Sequence, residues 1–350
     1  MIIGVSSFGC TGSSAVYDLL REYEEIKTPR SGRECEFTLP YSPSGLAMLE
    51  FCLYTFPVKH EQGDSAIGRF INLTKTIEKS YNRETNGAFS RLTKEYLGKI
   101  IQVKYKGFKA VGYTSSRIKW ILTLLSRKAE TYLRKITNKS LKIAKRLPRY
   151  ISVRPEGFIE NTRQYVMGII GAMGAEPGGK FLLDQPFPPN YPESVFKFFD
   201  NPYAIVVDRD PRDIYAIAKH MNFRSWEFIP HDCVEDFVTY FRVTHVKAKN
   251  EDPARVLRVR FEDFIYQYDQ TVREVEEFLD IHNHINPNKF FQKEISGKNT
   301  QVFRAFPEDA SEIHYIEEQL PEYLYSFEKY YKIVSKDEIN KTGRYTKYGR

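Results

Sequence analysis

The sequence predicts an α/β fold: a parallel sheet flanked by helices, of the P-loop NTPase-like type, carrying a basic helical insertion. Three observations lead there. Apolar strand-like runs alternate with helical segments. The first run opens into a glycine-rich turn that starts a helix, and between about residues 65 and 174 the pattern changes to long helical periodicity. The chain has 350 residues, 41% hydrophobic and 15% aromatic, which suffices for a sizeable core and excludes global disorder. The organisation read from this is one α/β domain over residues 1–335, with the insertion inside it and a polar tail over 336–350.

Taken in order, strands are expected at residues 2–6, 26–28, 180–183, 204–207 and 255–259. Helices are expected from Ser13 or Ser14, from about Pro211 with Asp210 as N-cap, over 267–279, and over 315–331. Inside the insertion, Ile118, Ile121, Leu122, Leu125, Ala129, Tyr132 and Ile136 recur at helical spacing. The same periodicity extends to Leu147, with Pro148 as a stop signal.

The charge is unevenly distributed. The chain carries 52 Lys and Arg against 45 Asp and Glu, a net +7. Residues 91–154 alone hold 18 Lys and Arg against two acids, or +16, which leaves −9 for the remainder. Such a block suits an anionic partner or a solvated face. Its apolar stripe suits two environments: burial against the α/β core, the commoner fate, or an anionic membrane surface contacted peripherally. Nucleic acid is disfavoured, since no recognition module accompanies the charge. No run of about 18 apolar residues marks a membrane span. The N-terminus lacks a signal-peptide pattern, and Cys10, Cys35, Cys52 and Cys233 show no paired spacing. The expectation is a cytoplasmic protein with reduced thiols, able to work at the inner membrane face.

Chemistry concentrates in three motifs. In the first, Gly9-Cys10-Thr11-Gly12-Ser13-Ser14 joins a strand to a helix. The glycines let backbone N–H groups turn inward, the helix start adds partial positive charge, and the serines add hydroxyls: a phosphate cradle. It is no Walker A loop, because Ser13-Ser14 stands where Lys-Ser/Thr belongs. In the second, a buried strand ends in Arg209-Asp210-Pro211-Arg212-Asp213, putting a guanidinium at a sheet's carboxyl edge. Read alone, this is equally an Arg–Asp network that stabilises the turn. The third is Arg258-Val-Arg-Phe-Glu-Asp263, followed by a helix ending in Phe278-Leu279.

The order and spacing of these motifs resemble the sulfotransferases that use 3′-phosphoadenosine 5′-phosphosulfate (PAPS), over about residues 1–60 and 178–335. The resemblance implies PAPS as donor, no metal, and a carbohydrate-type or lipid-linked sugar acceptor of the kind used in polysaccharide biosynthesis. It implies that Gly9, Cys10, Thr11, Gly12, Ser13 and Ser14 hold the 5′-phosphosulfate and that Arg209 binds the 3′-phosphate. Lys298 and Asn299 then belong to a late loop closing over the nucleotide, with Arg304 beyond it.

Three positions depart from the family pattern. Cys10 stands where Lys or Arg is usual, Ile217 where a phosphate-binding Ser is usual, and Gln185 where Lys is common. Arg30, Arg33, Lys59 or the basic insertion are available as substitutes. For the base, the resemblance points to Glu36 first and Glu34 second; Asp184, at a strand end, is third. Loop carboxylates at the surface are the ordinary reading of the first two, and a turn cap that of the last. Two other functions stay open on the residues alone. One is a P-loop phosphotransferase with Asp208 as a Walker B magnesium ligand, and the other a non-catalytic nucleotide- or glycan-binding protein on the same scaffold.

Overall fold

The computed structural model describes residues 1–31, 35–108, 117–138, 142–144, 146–221, 228–336 and 339. Among them run strands β1 (Ile2–Ser7), β2 (Ile26–Lys27), β3 (Val103–Gly107), β4 (Leu147–Ile151), β5 (Lys180–Asp184), β6 (Pro202–Asp208) and β7 (Val256–Arg260). The chain divides into two compact units, one formed by residues 1–38 with 173–350 and the other by residues 39–172.

The first unit holds a five-stranded sheet in the order β2-β5-β1-β6-β7, with every pairing parallel. Its central strands are apolar runs because both faces are covered: Ile3, Val5, Ile205 and Val207 are fully buried. Gly4 of β1 is required by packing, since a Cβ there would lie 2.3 Å from Pro186 Cγ and 2.4 Å from Phe187 Cε2. On one side the helices Ser13–Leu20 and Tyr268–Leu279 bury Val16, Leu20, Val275 and Leu279 in a core with β1, β6 and β7. A second core joins the helices Pro211–His220, Val234–Thr244 and Ala310–Gln319 through Tyr215, Phe237, Phe241 and Ile316.

The chain fills one side of β1 with β2 and β5 before crossing to the other with β6 and β7. The reversal falls at the carboxyl ends of β1 and β6, the place where open parallel sheets generally bind their ligands. The first two motifs sit at those two ends. Asp210 is the N-cap predicted for it, accepting from the Arg212 backbone N–H at 2.9 Å.

The late helix differs from expectation. It runs Ala310–Gln319 and stops before Pro321, which has no N–H to continue the ladder; short 3₁₀ turns follow at Pro321–Tyr323 and Glu328–Tyr330. Most of the tail expected over 336–350, together with Arg33 and Glu34, lies outside the described residues.

The second unit contains the helices His60–Glu84, Ala88–Ile100, Arg117–Thr137 and Phe158–Met173, the last ending at the unit boundary. Tyr96 and Tyr165 stack at 4.5 Å between them, their hydroxyls bound to Thr162 (2.9 Å) and Thr93 (2.7 Å). The insertion is not helical throughout, since β3 and β4 pair as an antiparallel hairpin. The buried Asp64 anchors it, 2.9 Å from Arg149 Nε and accepting from Tyr150 N at 2.8 Å. The periodicity expected to reach Leu147 therefore breaks earlier. Asn138, at φ 53°, turns left-handed after Thr137, and Pro148 lies within β4 opposite Lys106. A two-stranded ribbon has only edges, where a missing N–H is tolerated.

The apolar stripe of Arg117–Thr137 is also not covered. Ile118, Leu122, Leu125, Tyr132 and Ile136 are all exposed, Ile118 by 70% and Tyr132 by 66%.

Candidate active site

The β1 loop is built on backbone conformations that few residues adopt. Gly9, Cys10 and Gly12 have φ of 94°, 56° and 85°, three left-handed residues within four positions. Gly12 is the N-cap of the helix Ser13–Leu20 and offers no side chain to satisfy the helix's first N–H groups. No acid occupies the first helical turn. The Ser13 hydroxyl donates to Ser7 Oγ at 3.1 Å, and Ser14 is exposed at the helix start. Thr11 points away, its hydroxyl donating to Val207 O at 2.7 Å and so tying the loop to β6.

Cys10 supplies no cation. Burial pushes its thiol up to about 12, so it stays protonated and neutral at physiological pH. Its backbone carbonyl does the structural work instead.

Arg209 is buried to 2% exposure and lies 5.0 Å over the Phe261 ring. Its Nη1 donates to Cys10 O at 3.1 Å and its Nη2 donates to Asn299 O. The guanidinium thus joins the β1 loop, 199 residues away, to the late loop 90 residues away. Asp213 completes the joint: its carboxylate lies 3.6 Å from Arg209 Nη2 and accepts from Gln301 N (2.8 Å) and Phe303 N (3.3 Å). Asn299 is half-buried and Lys298 is exposed at the end of the helix Lys293–Gly297. Arg304 is drawn off to Gln301 Oε1 at 3.0 Å.

The rest of the second motif belongs to the fold. Arg212 forks onto Asp210, with Nη2 2.7 Å from Oδ2, and reaches Glu317 at 2.8 Å and Tyr325 O at 2.9 Å. Glu262, from the third motif, is fully buried and accepts from Asp210 N at 2.8 Å. Burial pushes its carboxyl up to about 7.

At the other flank of β1, Gln185 follows β5 with φ 52° and clamps the loop's entrance. Its Oε1 accepts from Ser7 N (3.0 Å), and its Nε2 donates to Ser7 Oγ (2.8 Å) and Ser13 Oγ (3.4 Å). Glu36 forms a parallel bridge with Asp184, the residue before Gln185, and Phe37 N donates to Asp184 O at 2.8 Å. Two of the three candidate bases therefore converge at the carboxyl end of β5, Glu36 exposed and Asp184 buried. Of the possible substitute cations, Arg30 and Lys59 are exposed, and Lys59 lies 3.4 Å from Glu61.

Sequence reasoning missed Ser7 and His245. His245 is sandwiched between Phe8 (4.1 Å) and Phe241 (3.6 Å). Its Nδ1–H donates to Phe241 O at 3.0 Å, and its Nε2 lies 3.7 Å from Asp208 Oδ1. Burial pushes its pKa down, favouring the neutral ring. Asp208 Oδ1 also accepts from Arg209 N at 2.8 Å, which holds the end of β6 against the start of the second motif. No spacing in the sequence signals His245, which reaches the site from the end of a helix 37 residues beyond Asp208.

A model described as "Sulfotransferase family" matches residues 3–284. A matching solved structure is the crystal structure of retinol dehydratase in complex with androsterone and inactive cofactor PAP. It is 12% identical, with 99% of this chain and 80% of that one covered and a TM-score of 0.29. No curated protein matches the chain.

Proposed function

The chain belongs to the sulfotransferase family, and on that premise we propose that it moves a sulfuryl group from PAPS to a hydroxyl of a carbohydrate-type acceptor. One observation carries the donor assignment. Arg209 joins, through Cys10 O and Asn299 O, the two loops that the motifs allot to the nucleotide. In this reading the 5′-phosphosulfate lies against Gly9, Gly12 and the start of the helix Ser13–Leu20, where backbone N–H groups and the Ser13 and Ser14 hydroxyls face an anion. The Gln185 amide stands in for the usual Lys by donating to the same serine cluster. Arg209 takes the 3′-phosphate by exchanging carbonyl acceptors for phosphate oxygens, with Lys298 and Asn299 beside it.

The reaction is a displacement at sulfur. Glu36 removes the proton from the acceptor hydroxyl, and that oxygen bonds to sulfur. The bond from sulfur to the 5′-phosphate oxygen breaks, and adenosine 3′,5′-bisphosphate leaves. The Glu36–Asp184 bridge supports this choice of base, because it anchors both carboxylate-bearing residues at the edge where the donor loop begins. The neutral Cys10 leaves charge neutralisation at the leaving 5′-phosphate to the helix start and its backbone N–H groups.

Thermal unfolding with adenosine 3′,5′-bisphosphate, ATP–Mg²⁺ and GTP–Mg²⁺ tests the reading. A ligand that binds only the native state raises its stability as ln(1 + [L]/Kd). The bisphosphate is expected to raise the unfolding temperature with no need for magnesium. A shift only with ATP–Mg²⁺ or GTP–Mg²⁺ would replace this reading with phosphoryl transfer, and silence from all three would leave a non-catalytic scaffold.

A further inference from the structure

The helix Arg117–Thr137 has an apolar face on which nothing packs among the described residues. Ile118, Leu122, Leu125, Tyr132 and Ile136 fall within one stripe at 100° per residue, and each is at least 57% exposed. The opposite face is the one turned to the unit, where Thr123, Leu124, Ser126 and Glu130 are half-buried. An apolar face turned outward on a helix this long departs from the ordinary packing of an amphipathic helix, whose apolar side seeks a core.

The charges around it are one-sided. The helix contains six Lys and Arg and one acid, Glu130. That acid is neutralised from within the unit: Arg146 grips both its oxygens, at 2.5 and 3.0 Å, and Ala144 N donates to it at 2.6 Å. Arg127 turns back over the Phe108 ring at 4.7 Å. Arg117, Lys128 and Lys135, by contrast, project about 100° from the stripe's centre and form a cationic border along one side of it. All three are exposed.

We infer that this face docks in the plane of an anionic lipid bilayer, with the stripe among the acyl chains and the cationic border at the headgroups. Charge and apolarity together select that partner. A soluble polyanion would use the cations and leave the leucines in water. A neutral bilayer or a second copy of this face would accept the leucines but give Arg117, Lys128 and Lys135 no counter-charge. At 1.5 Å per residue the 21-residue helix lies about 30 Å along the surface, and its cations keep it from crossing. The docking is independent of sulfuryl transfer, since no residue of the donor loops takes part.

Co-sedimentation of the full chain with vesicles tests it, using phosphatidylcholine alone and phosphatidylcholine mixed with the anionic lipid phosphatidylglycerol. Binding is expected with the anionic vesicles, falling about tenfold or more between low and high salt as the Debye length shortens. Leu122→Glu with Leu125→Glu should abolish it while leaving the bisphosphate-induced thermal shift intact, which shows that the variant is folded. Lys128→Glu with Lys135→Glu should also abolish it, and Leu122→Gln alone, a milder change, should weaken it. Any of three results would overturn the inference: equal binding to neutral vesicles, unchanged binding by the leucine variant, or no vesicle binding with concentration-dependent self-association that the leucine variant removes.

Discussion

Arg209 shows how much one side chain can carry. It is buried, it ties two loops together through their carbonyls, and it is the proposed ligand of the donor's 3′-phosphate. Arg209→Ala is therefore expected to lower bisphosphate affinity by roughly 2–5 kcal/mol and to erase the preference for 3′-phosphorylated nucleotides. It should also lower the unfolding midpoint, because Asp213 loses its buried counter-charge. Calorimetry separates the two effects; equal affinity in a less stable variant would make Arg209 a structural joint alone. For the base, Glu36→Gln keeps the shape of the side chain but not its proton acceptor. Turnover should drop about 10²–10⁴-fold with bisphosphate affinity unchanged, and retained turnover would transfer the role to Asp184. Glu262 yields a pH prediction. Its carboxyl sits at about 7 against an ordinary 4.5, so between those values the native state keeps a proton that the unfolded chain releases. The stability from this group is complete below about pH 4.5 and is lost as pH rises through 7. Glu262→Gln preserves an acceptor for Asp210 N. Melting curves should then show the variant gaining on the parent at pH 8 and matching it near pH 4.5, and a constant offset would refute the assignment.

At the scale of elements, local signals were legible and pairings at long range were not. β1, its loop and the helix from Ser13 follow from an apolar run, two spaced glycines and two serines. The helix from Pro211 follows from Asp210 and Pro211. Of the partners of Arg209, Asp213 lies within the same motif, but Cys10 O and Asn299 O could not be read, because they are backbone carbonyls contributed by two distant loops. The β3–β4 hairpin was missed because Val103-Lys-Tyr-Lys-Gly107 is exposed along most of its length and shows no buried alternation. The stripe on Arg117–Thr137 was read correctly as sharing one face, but periodicity says which residues share a face and not whether anything covers it. Gly12 gives a prediction at this scale. A Cβ at φ 85° would lie 2.4 Å from Phe261 Cδ2. Gly12→Ala should then cost about 1–2 kcal/mol for the left-handed backbone and about 1–3 kcal/mol for the clash. Denaturant unfolding should register this together with a loss of bisphosphate binding, and Phe261→Leu in the same chain should recover only the clash.

At the scale of the whole molecule, the two units divide the chemistry. The five-stranded sheet and every residue proposed to touch the nucleotide belong to residues 1–38 and 173–350, while the exposed stripe and the whole basic segment belong to residues 39–172. A net charge of +7 conceals this separation, since residues 91–154 alone carry +16. If each unit keeps its own ligand, the two should leave separate footprints in amide hydrogen exchange, which reports opening of local segments rather than of the whole fold. Adenosine 3′,5′-bisphosphate should slow exchange at residues 8–15, 209–213 and 296–303, where backbone N–H groups face the anion or lie on the Arg209 joint. It should leave β3, β4 and the helix Arg117–Thr137 unchanged. Anionic vesicles should do the reverse, slowing exchange in that helix and leaving the β1 loop as it was. With both present the two patterns should add, because ligands that do not share a two-state element have no coupling free energy. A bisphosphate footprint that reached the helix, or a vesicle footprint in the β1 loop, would show instead that the units respond to one another, and the basic segment would then have to be counted as part of the donor site.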